Sequence, residues 1–109
     1  MKAYQGTSTD RGPAVVVEDN GHCRGLDPRR DLCNYSPNGF DWSNNNSGAA
    51  HLALALAADV LGDAERAKAV HQRLKFKLVG RLADEGWTLT ETRIRAAINL
   101  IEQEQARRR

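Results

Sequence analysis

The chain is short of cysteine, of net charge and of long apolar runs, and each shortage closes off a class of protein. Cys23 and Cys33 are its only cysteines. They read as reduced thiols, because a domain of 109 residues can bury a core without covalent staples. A bond between them would close a loop of about ten residues in an oxidising compartment. The formal net charge is +2, too little to imply nucleic-acid binding from charge alone. No stretch approaches the ~20 apolar residues that cross a bilayer. The longest apolar run, 49–58, is interrupted by His51 and stops at Asp59. The opening residues, MKAYQGTSTDRG, lack the apolar core of a signal peptide. The expectation is a cytoplasmic protein with no membrane partner. No internal repeat and no linker divides the chain, so 1–109 reads as one domain.

What is present is an ordinary globular balance, 40% apolar and 28% charged, with an order to it. Residues 1–35 read as β-rich. A strand is expected over 2–5 and turn-like chain over 7–13, where Asp10, Gly12 and Pro13 cluster. The β-branched run 14–18, AVVVE, predicts a second strand. Asn20-Gly21 then predicts a tight hairpin turn into a returning strand over 22–26. A short extended edge is expected at 32–35. Residues 36–48, SPNGFDWSNNNSG, read as a loop that carries two large side chains, Phe40 and Trp42. At least one should fold back onto the core.

Three helices are predicted within 49–106. The first, 49–61, is apolar nearly all round and should be the most buried. Ser47 suits its N-cap, and Gly62 supplies a left-handed stop. The second starts after Asp63 and runs to about Leu82, with a stripe of Ala67, Val70, Leu74, Leu78 and Leu82. The third starts after Thr90, with Glu91 suited to its first turn and a stripe of Ile94, Ala97, Ile98 and Ile101. Residues 103–109 read as a frayed polar tail ending in Arg107, Arg108 and Arg109. The fold class is therefore α+β: a small N-terminal antiparallel β element packed on a C-terminal three-helix unit.

Several of these segments share a pattern. Gly39, Phe40 and Trp42 form a GFxW segment. Ser47, Gly48, Ala50, Leu52, Ala53, Leu54, Ala55 and Leu56 form SGxAxLALAL, and Gly86, Trp87 and Leu89 form GWxL. About two-thirds of the chain resembles an uncharacterised prokaryotic family, a domain of unknown function also found in phages and mobile elements. The resemblance implies a fold, with a turn at Gly86, Trp87 and Leu89 leading into the third helix, and no activity, since its motifs are structural. Two features depart from the family pattern. Asn44, Asn45 and Asn46 stand where the family usually has glycines, and asparagine tolerates left-handed backbone best after glycine. His51 stands where the family commonly has glutamine, which weakens His51 as a general base.

No constellation reads as a catalytic set. His22, Cys23, Cys33 and His51 suit zinc by type, but no pair has the two-to-four-residue spacing of a zinc site. Cys33 with His51 or His71 is a pairing that many chains offer by chance. Asp41 lacks a second carboxylate. No cofactor loop is present: no Gly-Lys-Ser/Thr follows the asparagines, so they do not form a P-loop. Asn44, Asn45, Asn46 and Ser47 precede a helix N-terminus, which favours anions, but they read first as a turn capped by Ser47. Arg66, Arg73, Lys77 and Arg81 share one side of the second helix. With the C-terminal arginines they would make a basic face, or simply a solvated one. Phe40, Trp42 and Phe76 are candidate interface aromatics, with core packing as the default for large rings.

The sequence thus supports a non-enzymatic protein that docks on a protein partner, with no cofactor and no metal. The family distribution suggests a mobile-element accessory protein such as a host-defence inhibitor. The alternative is a binder of nucleic acid or a phosphate ligand through the Asn-rich loop and the basic second helix.

Overall fold

In the computed structural model, the described residues are 2–32 and 39–107. The expected edge strand at 32–35, Cys33 and the last two arginines lie largely or wholly outside them.

Strand β1, Lys2–Thr9, and strand β2, Gly12–Asp19, pair antiparallel across a two-residue turn. The turn-like region is narrower than 7–13. Thr7 and Ser8 stay in the strand because they pair with Ala14 and Pro13. Asn20 and Gly21 both take positive φ, 53° and 86°, as a tight primed turn requires. Strand β3, His22–Gly25, returns along β2, and the Leu26 N–H continues the pairing by donating to the Val15 carbonyl at 3.0 Å.

Helix α1, Ser47–Leu61, buries twelve of its fifteen residues and forms the centre of the molecule. Its N-cap is Asn46, not Ser47. The Asn46 Oδ1 accepts the Ala49 N–H at 3.0 Å, which leaves Ser47 as the first helical residue. Gly62 ends the helix in the left-handed region, φ 65°, with its N–H donating to the Ala58 carbonyl. Helix α2, Ala64–Lys77, is capped by Asp63 as expected but stops short of Leu82. The chain tightens into a 3-10 turn over Val79–Arg81. The reason is tertiary. The Ser43 N–H donates to the Val79 carbonyl, and a side chain at Gly80 would strike Asn45 and the Asn44 carbonyl. The Asn-rich loop occupies the space a continuing helix would fill.

Strand β4, Gly86–Thr90, lies where a turn is expected from the sequence. It pairs antiparallel with β1 and completes a sheet of order β3-β2-β1-β4. Trp87 and Leu89 point into the core while Thr88 and Thr90 face out. Trp87 lies across Gly6, where a Cβ would collide with the indole. Helix α3, Glu91–Arg107, continues through most of the expected tail. Gln105 donates to the Ala69 carbonyl at 2.8 Å, and buried Ile101 anchors the preceding turn.

One apolar cluster joins the inner face of the sheet (Tyr4, Val15, Val17, Leu89) to α1, α2 and α3. The architecture is α+β, a four-stranded antiparallel sheet with three helices. No helix among the described residues is long and apolar enough to cross a membrane.

Candidate functional site

Two polar clusters are closed on themselves. In the first, Asp41 sits against the start of α1, its N–H donating to the Gly48 carbonyl at 3.1 Å. Its carboxylate accepts from the Trp42 N–H at 2.8 Å, Asn44 Nδ2 at 3.0 Å and Asn46 Nδ2 at 2.8 Å. Burial would raise this carboxyl, and the bonds from Asn46, Asn44 and Trp42 outweigh it, so its pKa falls below the ordinary value. Asn44 Oδ1 accepts the Asn46 N–H, and Asn46 caps the helix. The four candidate anion-binding residues are thus spoken for or displaced. Asn44 and Asn46 serve the loop, Asn45 lies against Gly80, and exposed Ser47 enters the helix. The charge beside this helix start is the chain's own carboxylate, which repels a second anion.

The second closed cluster is centred on Asp59 of α1. Its carboxylate accepts the Tyr4 hydroxyl at 2.6 Å and Arg24 Nη2 at 2.8 Å, with Lys2 Nζ at 3.4 Å. Burial would raise Asp59, and the bonds from Tyr4 and Arg24 with the Lys2 charge bring it below its ordinary value. Tyr4 is driven up, by burial first and then by Asp59. One carboxylate therefore clips β1 and β3 to the central helix.

Two of the three histidines are buried. His51 is fully buried, its Nε2–H donating to the Pro28 carbonyl at 2.6 Å, with its ring edge-on to Phe40. His71 is buried and its Nδ1–H donates to the Lys68 carbonyl at 2.7 Å. Burial lowers its pKa. Asp41 lines a surface cleft with Phe40, Asn46 and Ser47, and His51 is not part of that lining. Among the described residues no group of three or more His, Cys, Asp or Glu could hold a metal. Cys23 is exposed on β3.

The candidate interface aromatics separate. Trp42 is 1% exposed, edge-on to Trp87, with its Nε1–H donating to the Asp84 carbonyl at 3.1 Å. It is a core residue. Phe40 is half-buried against the same core. Phe76 alone projects, at 55% exposure, with Lys75 Nζ 4.5 Å from its ring centre.

The basic residues expected on the second helix separate as well, and Arg81 lies in the 3-10 turn beyond its end. Arg66 makes a two-pronged pair with Glu102 of α3, at 2.8 and 3.0 Å. Lys77 reaches Glu104 at 2.9 Å, and Arg73 approaches the same carboxylate at 3.6 Å. Three of the four candidate cations therefore face acids of α3, and only Arg81 has no acidic partner among the described residues. Reading α2 by itself could not reveal this, because the acids lie some thirty positions away in sequence.

What the sequence reading missed is Leu100 on α3. It is 56% exposed and shares a shallow groove with Lys77, Leu78, Arg81, Arg93 and Ala97. Lys77 also lines the neighbouring apolar groove under Phe76, with Gln72 and Arg73. Phe76 and Leu100 thus line two separate grooves that share Lys77. Arg93, like Arg81, has no ion pair among the described residues. The missed signal was the position of Leu100, outside the Ile94–Ile98–Ile101 stripe of its own helix.

The family model for a family of unknown function, DUF6166, matches residues 4–100. The chain belongs to that family. The match spans the sheet from Tyr4 onward, α1, α2 and most of α3, so the α2–α3 face lies mainly within the family's domain. No curated protein and no solved structure matches the chain.

Proposed function

We propose that this DUF6166 chain is a small non-enzymatic docking protein that binds a protein partner through the outer face of α2 and α3. One observation carries the reading. Three large hydrophobic side chains are strongly exposed among the described residues, Val16, Phe76 and Leu100, and two of them line grooves that share Lys77. A large aromatic projecting beside aliphatic surface, rimmed by arginine, has the composition of an interface centre. Isolated exposed hydrophobics need no such explanation; paired ones with a charged rim do.

Nucleic acid fits this face less well. Glu102 and Glu104 sit within the track that phosphates would follow, and Arg66, Arg73 and Lys77 are turned toward them. The closed Asn-rich loop offers no second phosphate site. The setting we infer is the cytoplasm, and the role that of an accessory protein of a mobile element, such as a host-defence inhibitor. That finer assignment rests on the distribution implied by the sequence resemblance.

The test is affinity capture from the native host with mass-spectrometric identification, using the wild type and F76D/L100D. A single host protein retained at high salt by the wild type and lost by the double variant is the expected outcome. A salt-sensitive shift with mixed DNA or RNA, abolished by R73E/K77E/R81E, would overturn the reading in favour of nucleic acid.

A further inference from the structure

The α2–α3 face also says what kind of protein segment would sit on it. We infer that its occupant is an acidic amphipathic helix, with apolar side chains against Phe76 and Leu100 and carboxylates toward Arg81 and Arg93. This rests on the docking role proposed above and adds the chemistry of the partner.

Arg81 and Arg93 rim the Leu100 groove, and neither guanidinium has an acidic partner among the described residues. Arg73 and Lys77 are already paired with Glu104. The open valences at the rim are therefore positive, and a carboxylate is the group that satisfies them, in a paired geometry if it meets a guanidinium. A second copy of this chain fits poorly, because a twofold contact through this patch would bring the same arginines together. The face is also built from helices whose backbone groups are already bonded to one another. It offers no sheet edge, so an extended segment would leave its own N–H and C=O groups without partners on this surface. A helix satisfies its backbone internally and presents only side chains, matching a surface of side chains.

The experiment is chemical-shift mapping of the 15N-labelled full chain with two synthetic helical peptides. Both carry the same leucine and phenylalanine face; one has glutamates on the flanking positions and the other lysines. The glutamate peptide should shift amides within 72–81 and 93–104 and leave 39–48 unmoved. R81E/R93E should weaken that binding about tenfold or more, since two attractive rim charges become repulsive. These arginines are exposed, so the variant should fold, which its unperturbed spectrum elsewhere would establish. If the lysine peptide shifts the same amides equally, the acidic assignment is overturned while apolar docking stands. If neither peptide shifts them, the helical occupant is overturned. The docking role itself fails separately, when F76D/L100D keeps its captured partner.

Discussion

The loop before α1 and the outer face of α2 and α3 are both rich in polar residues, yet they spend them in opposite directions. In the loop, Asp41, Asn44 and Asn46 bond to one another and to the start of the helix. On the outer face, Arg81 and Arg93 stand beside Leu100 with no acidic partner among the described residues. The difference teaches that polarity marks a binding surface only where the protein has not consumed it internally. Asparagines before a helix N-terminus suit an anion by residue type, and here Asn44 and Asn46 spend their side chains on the loop and the helix start.

Changes to the inward clusters should therefore register in stability, and changes to the outer face in binding. The largest effect is expected from Trp42→Ala. It removes a buried indole packed on Trp87 and its bond to Asp84, and should lower unfolding free energy by about 3–5 kcal/mol in urea titration.

Asp59→Ala comes next, at about 3 kcal/mol, because Tyr4, Arg24 and Lys2 would lose their common acceptor. The same site gives a pH dependence. Asp59 and Asp41 are lowered in the fold, so their contributions are full above the unfolded carboxylate value of 3.8 and drain away as pH falls below it. His71 is also lowered, so the unfolded chain binds its proton first, and stability should begin to decline as pH drops through about 6.5. Chemical denaturation between pH 8 and 3 should show both declines, and Asp59→Ala should flatten the acidic one.

Gly62→Ala should cost about 1 kcal/mol, measured by thermal unfolding, because alanine resists the left-handed angle that ends α1. The smallest effect on stability belongs to Phe76→Ala, within about 0.5 kcal/mol, since the ring is mostly in solvent. That variant should nonetheless weaken partner capture. A Phe76 variant that unfolds the chain would erase the contrast between the two regions.

Much of the fold was legible because local signals agreed with the final packing. The AVVVE strand, the Asn-Gly turn, the all-round apolar α1 and the Asp63 and Gly62 caps each needed only their own neighbourhood. The misreadings came from contacts distant in sequence. β4 is five residues long and opens on glycine, so it read as a turn until β1 paired with it. The apolar stripe of α2 continued to Leu82, but the docking of the Asn-rich loop on Val79 and Gly80 ended the helix at Lys77. The basic side of α2 was readable as residues and unreadable as a surface, because Glu102 and Glu104 arrive from α3.

Hydrogen exchange of the chain, free and bound to its captured partner, puts both regions in one measurement. Docking on the outer face predicts added amide protection within 72–81 and 93–104 and none at 39–48. Added protection at 39–48, with α2 and α3 unchanged, would contradict it and return the Asn-rich loop to the position of binding site.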